Sequence, residues 1–408
     1  MARHDDKCDP GSARSTFTRH DFEASLTKAS DTIDVAEWAG SIPQVGGIPP
    51  HVRIGRRWIN LLWSLPIALI LVIVTVAAAK GLRDMPAVGR FITRYPGTDA
   101  PTHPSHVGLP WWLRWQHFFN LFFMAFIIRS GVQILADHPR LYWTRHCTPG
   151  REWFRFQKPV PPDPMWTAKQ DSVSLPGSIG LPGVRHTIGL ARWWHLGTDV
   201  LWLVNGAVFY ALLFATPQWR RIVPTTWRVF PNAVSVALQY ASLNWPHNLG
   251  WVAYNGLQVL AYFITVFVAA PLALLTGLGQ SPALSNRLPG ISRRLSSQVA
   301  RSVHFLVLCW FLFFIFMHTA MIFTTGLLTN LNHITVGRDN NGWAGFGIYV
   351  VWMTIVVVAW MAATPFTLRR PRTVQHVGHA LIGPVENLFE HIDPRPGAFR
   401  KADISPHF

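Results

Sequence analysis

The sequence predicts an all-α, polytopic membrane protein with about six transmembrane helices. Three observations predict it. Half of the 408 residues are hydrophobic and only 14% are charged, less charge than a soluble chain of this length carries. The apolar residues gather in six runs, each long enough to cross a hydrocarbon core of about 30 Å. Arginines cluster at the ends of those runs, where they set topology and meet anionic lipid. The formal net charge of +16 is thereby accounted for, and no nucleic-acid partner is expected.

Three cysteines, Cys8, Cys147 and Cys309, stand far apart and never as CxxC. That spacing provides neither an iron–sulfur cradle nor a covalent haem attachment. The N-terminus, MARHDDKCDPGSARS, has no apolar stretch and does not read as a cleaved signal peptide.

Residues 1–52 read as a polar cytosolic arm ending in a Pro/Gly-rich piece (Pro43, Gly46, Gly47, Pro49, Pro50). Residues 53–109 hold an added span, from Trp58 to about Ala79, and a loop with Lys80, Arg83, Arg90 and Arg94. The second span, WWLRWQHFFNLFFMAFIIRSGVQIL, opens a core over residues 110–330 and carries His117 in its first turns. Its loop, 137–192, is rich in Pro, Trp and Arg and is of the kind that docks a partner. The third span, RWWHLGTDVLWLVNGAVFYALLFA, carries His195 near its start. The fourth, from about Trp251 to Thr276, has no histidine, and the fifth contains HFLVLCWFLFFIFMH, from His304 to His318. Residues 331–368 supply an added sixth span, from about Ala344 to Thr364. Residues 369–408 form a basic tail in which VGHALIGPVENLFEHI reads as a short interfacial helix.

Six spans put both termini on one side. That side receives Arg53, Arg56, Arg57, Arg140, Arg145, Arg185, Arg192, Arg287, Arg293, Arg294 and the Arg369, Arg370, Arg372 cluster, against Lys80, Arg83, Arg90, Arg94, Arg114, Arg220, Arg221, Arg228 and Arg338 opposite. The bias puts both termini in the cytoplasm of a cell whose plasma membrane holds the chain.

A helix turns about 100° per residue, so the fourteen residues from His304 to His318 bring the second imidazole within roughly 40° of the first, about 21 Å further along. Spans three and five start on the same side, which sets His195 level with His304. Span two starts opposite, so His117 lies level with His318. Two bis-imidazole pairs result, and paired neutral imidazoles are the axial ligands of a b-type haem. Each pair can clamp one haem inside a four-helix bundle, where cofactor sites are built from facing side chains. Hydrogen-bonded core imidazoles are the plainer reading of the same residues.

Gly131, fourteen residues after His117, and Gly206, eleven after His195, face the opposite level, where a helix passing a flat macrocycle needs a small residue. Close helix packing asks for the same. Arg129 is a charge inside an apolar run, and a haem propionate or the headgroup layer could satisfy it. The remaining histidines, among them His138, His186, His247 and His333, fall in loops or tails and read as solvated, with His186 and His247 near span ends. No acid is read inside the spans, which argues against an ion-coupled carrier.

On these residues the chain resembles the prokaryotic di-haem b-type cytochromes that include the formate dehydrogenase gamma subunit, the cytochrome subunit of nickel–iron hydrogenase, thiosulfate-reductase cytochrome b and bacterial cytochrome b561. In that family four core helices carry one His on the first, one on the second and two, fourteen apart, on the fourth, matching His117, His195, His304 and His318 here. The resemblance covers about residues 110–330. It implies two haem b groups and electron transfer between a peripheral subunit of the molybdopterin or hydrogenase type and membrane quinone. Quinone-site residues vary within the family; Asn255 and Gln258 on span four are polar candidates, with interhelical hydrogen bonds the plainer reading. Two alternatives stay open: a self-contained quinol or superoxide oxidoreductase of the bacterial b561 type, and a haem-free transporter or assembly factor.

Overall fold

The computed structural model describes residues 47–98, 108–145, 147–160, 171–181, 187–245, 250–280 and 296–392. Residues 1–46 of the expected arm, His103, His106, His146, His186, His247, the Arg287, Arg293, Arg294 cluster and the tail beyond 392 lie outside these. Among the described residues, six helices are long and apolar enough to cross a membrane: Leu61–Arg83, Trp111–Asp137, Gly189–Ala215, Gly256–Gly279, Ser297–Thr324 and Ala344–Arg369. The chain is an all-α, multi-pass membrane protein.

The helices used below are α1 (Ser64–Arg83), α2 (Pro86–Arg94), α3 (Trp111–Asp137), α4 (Thr187–Ala215), α5 (Val229–Ala241), α6 (Gly256–Gly279), α7 (Ser297–Thr324), α8 (Leu327–Ile334), α9 (Ala344–Arg369) and α10 (Pro371–Ile392). α1 buries only Ala79. A helix apolar on every side and exposed along nearly all of its length has lipid as its solvent. It begins later than Trp58 because Arg57–Asn60 is a strand, and the Asn60 side chain accepts from Leu62 N at 2.9 Å to cap the single 3-10 turn, Leu61–Trp63, that leads into α1.

Four helices form the core. α3 packs along α4, and α6 along α7. Tyr210 Oη on α4 donates to the Val266 carbonyl of α6 at 2.6 Å. That part of α6, Ile264–Ala269, is a π-helical stretch directly before Pro271, whose missing N–H and ring disturb the regular ladder. α9 lies outside α3, with Trp352 against Phe118 at 5.1 Å between ring centroids. Span four starts at Gly256, because Asn255 caps it: its Oδ1 accepts from Gln258 N at 2.9 Å while Gln258 Oε1 accepts from Asn255 N at 3.0 Å.

The side on which α4 and α7 begin carries a small antiparallel sheet. Its strands are β1 (His51–Ile54), β2 (Arg57–Asn60), β3 (Arg140–Leu141) and β4 (Phe154–Arg155), in the order β2-β1-β4-β3. The β1–β2 hairpin turns at Gly55, φ 62°, where a Cβ would be strained. The boundary expected between residues 52 and 53 is therefore replaced by a strand that runs across it and pairs with the 137–192 loop (Val52 opposite Phe154).

Beneath this sheet, Arg140 donates to both Asp171 oxygens, at 2.8 and 2.6 Å, and to Glu152 Oε1 at 3.2 Å. Arg155 shares Glu152 and lies over the Trp58 ring at 4.0 Å. The cluster is buried, so each charge depends on its partners. Trp153 Nε1 donates to Ser302 Oγ at 2.9 Å, and Ser302 Oγ to the Tyr142 carbonyl at 2.6 Å, which ties the sheet to the first turns of α7.

α10 is longer than the short helix expected from the tail. It spans 22 residues and packs on the start of α4, where Gly378 lets the chain approach Trp193 and Leu381 meets Gly197.

Candidate functional site

α7 carries His304 and His318 nearly four turns apart on one face, as an uninterrupted helix of this length must. Around it, the structure brings His195 of α4 to His304 and His117 of α3 to His318. The ring centroids lie 6.3 Å apart in the first pair and 6.2 Å in the second, with interplanar angles of 71° and 46°. A first-row metal between two imidazoles sits about 2 Å from each ligating nitrogen, which separates the ring centroids by roughly 6 Å. Both pairs meet that condition. Among the described residues no group of three or more His, Cys, Asp or Glu could hold a metal ion, so two donors per level suit a centre whose equatorial ligands come from a macrocycle.

The second ring nitrogen tests the fit further. His195 Nδ1 lies 3.0 Å from Ser130 Oγ and 3.2 Å from the Ile127 carbonyl. Ser130 sends its own proton back to the Phe126 carbonyl at 2.7 Å, so its oxygen and the carbonyl are both acceptors. They select the tautomer with hydrogen on Nδ1 and a bare lone pair on Nε2. His304 repeats this: Nδ1 is 3.0 Å from Thr276 Oγ1, which donates to the Leu272 carbonyl at 2.6 Å. Metal-binding histidines are held in this way, by an acceptor for the nitrogen that does not ligate.

Each hydroxyl is followed by a glycine that leaves room for the ring. A Cβ on Gly131 would stand 3.3 Å from His195 Cε1, and one on Gly277 3.7 Å from His304 Cε1. Sequence reasoning singled out Gly131 and missed Ser130, Thr276 and Gly277. The signal was the Ser-Gly and Thr-Gly dipeptides, one on α3 and one on α6. A Cβ on Gly206 would meet no protein atom within 4 Å.

The second level is built differently. His318 stacks on Phe314 at 5.6 Å and 7°, with Tyr262 edge-on at 6.0 Å. His117 Nδ1 is buried without a hydrogen-bond partner.

Several expected placements need correction. Arg129 is buried, donates to Thr364 Oγ1 and lies over the Trp360 ring at 5.1 Å, because its position on α3 turns it toward α9. Asn255 Oδ1 and Gln258 Oε1 close the α6 cap, and Asn255 Nδ2 donates to Tyr240 Oη at 3.1 Å. His138 and His333 are not solvated. Burial, with Arg301 and Arg192 nearby, lowers the His138 pKa to about 3, and His333 stacks on Trp251 at 4.8 Å with Nε2 2.7 Å from Asp339. The spans also contain an acid: Asp199, one turn after His195, brings its carboxylate 3.7 Å from His195 Nε2.

No protein-family model, curated protein or solved structure matches this chain.

Proposed function

We propose that this chain is a membrane-embedded di-haem b-type cytochrome, with His195 and His304 holding one haem b and His117 and His318 the other. It passes electrons between a peripheral redox subunit, of the molybdopterin or hydrogenase type, and membrane quinone, and it anchors that subunit. The observation that carries this reading is the spacing of both ring pairs, 6.3 and 6.2 Å, on one shared helix. The resemblance to the di-haem cytochromes, by the same four histidines, supports it. A bound haem supplies one-electron iron chemistry, which none of these side chains can.

The protein's part is to hold the rings. Ser130 and Thr276 fix the tautomer of one pair, Phe314 and Tyr262 wall the other, and the apolar helices exclude water from both. On the reading that both termini are cytoplasmic in a bacterial plasma membrane, the small sheet is the cytoplasmic face. Its acids, Glu152 and Asp171, are taken inward by Arg140, while Arg56, Arg57, Arg145, Arg151 and Lys158 stay exposed, a surface suited to a peripheral partner with acidic groups.

The purified protein is expected to show b-type bands in a reduced-minus-oxidised spectrum and two haems per chain. His304→Ala and His195→Ala each lose one haem, and His318→Ala and His117→Ala lose the other. Protein purified from haem-replete cells with no b-type bands would refute the proposal.

One observation favours a second reading. Asp199 beside His195 suits a haem-free protein that handles protons along a polar path. In that case Asp199→Asn abolishes function in a chain that contains no haem.

A further inference from the structure

We infer that Ser130 and Thr276 are positioning residues that set the redox potential of the His195–His304 centre and leave the His117–His318 centre untouched. The inference rests on the haem reading above and assigns a role to two side chains beyond the four ligands.

The geometry is the same twice. On α3 the Ser130 hydroxyl donates to the carbonyl four residues back, at 2.7 Å, and on α6 the Thr276 hydroxyl does so at 2.6 Å. Each oxygen keeps a lone pair directed at an Nδ1 that is 3.0 Å away. A neutral imidazole that donates through Nδ1 gains electron density at Nε2 and becomes the stronger base toward a metal. A more basic ligand stabilises the oxidised, more positive iron, so each bond lowers the potential of the centre it serves. At the other level His117 Nδ1 has no acceptor, and the near neighbours of His318 are aromatic rings. Two centres with the same ligand atoms thus receive different second contacts, from different helices.

Serine and threonine in membrane helices commonly bond back to the i−4 carbonyl and do nothing more. Ser130 and Thr276 differ from these by a second contact from a different helix, made at the same nitrogen in both cases.

The test is a potentiometric titration of the haem-loaded full-length protein in detergent, followed by optical and electron paramagnetic resonance spectra. Ser130→Ala and Thr276→Ala are each expected to shift the reduced-to-oxidised ratio of one haem about tenfold toward the reduced form, a rise of about 59 mV for one electron. Both variants should move the same haem, the one lost in His304→Ala. Ser130→Thr and Thr276→Ser, which keep a hydroxyl, should restore the original midpoint. Loss of that single haem in an alanine variant, with rescue by the hydroxyl variant, also supports the inference. Two bound haems with unchanged midpoints in both alanine variants would overturn it, as would equal movement of both midpoints. An unaltered protein without haem brings down the proposed function, and this inference with it.

Discussion

The two histidine levels differ in what stands behind the rings. His195 and His304 are backed by hydroxyls on neighbouring helices and have a carboxylate close by, whereas His117 and His318 sit among Phe314, Tyr262 and a buried nitrogen without a partner. The first arrangement fixes a tautomer by directional bonds, and the second fixes a ring by shape. Polar contacts specify which atom faces the centre, while aromatic contacts specify only where the ring lies.

The comparison can be broken most directly at the glycines. Gly131→Leu puts a branched side chain where a Cβ already comes within 3.3 Å of His195, and it should cost the haem of that level while sparing the other. Haem content per chain, by pyridine haemochrome assay, decides. If Gly131→Leu keeps two haems, the close approach to His195 has no part in the centre.

Next in size is the sheet that roofs the hydrogen-bonded level. Arg140→Ala leaves Glu152 and Asp171 buried without their main partner, a loss of about 3–5 kcal/mol for a broken buried pair. Limited proteolysis should then cut near residues 140–160 while the His117–His318 haem stays spectroscopically intact. Simultaneous loss of both haems would show that the two levels are not independent.

Acid should also act on one level first. The folded pKa of His138 is depressed to about 3 from 6.5, so the unfolded chain binds the proton more readily. Stability contributed by the neutral ring is full above pH 6.5 and declines as pH falls toward 3, by about 1.4 kcal/mol per unit. Thermal unfolding of the sheet region should therefore soften between pH 6 and 4, and His138→Phe should flatten that dependence. The smallest effect is expected from Phe314→Leu, which removes a stacked partner of His318 worth about 1 kcal/mol, read as faster haem loss from the second level alone.

The corrections share a cause. The β1 strand is four residues long and its partner lies about a hundred residues away, so no local period marks it and it read as the end of a polar arm. Ser130 and Thr276 look like ordinary hydroxyls of membrane helices until a histidine from another helix arrives. His138 adjoins a helix end and reads as loop, yet the sheet and the Arg301 side chain, which donates to its carbonyl at 2.9 Å, close over it. Asp199 was within reach of sequence reasoning, since a spacing of four from His195 puts both on one helix face.

The sequence by itself determined the six spans, their alternating directions and the depths of the four histidines. Hydropathy and the turn per residue are properties of each segment alone, and a bilayer converts position along a helix into depth. Only the tertiary structure decided how closely the paired rings approach, at about 6 Å, what stands behind each of them, and that a loop and an N-terminal hairpin join in one sheet. Those facts depend on the rotation and lateral order of helices packed against one another, which no single segment encodes.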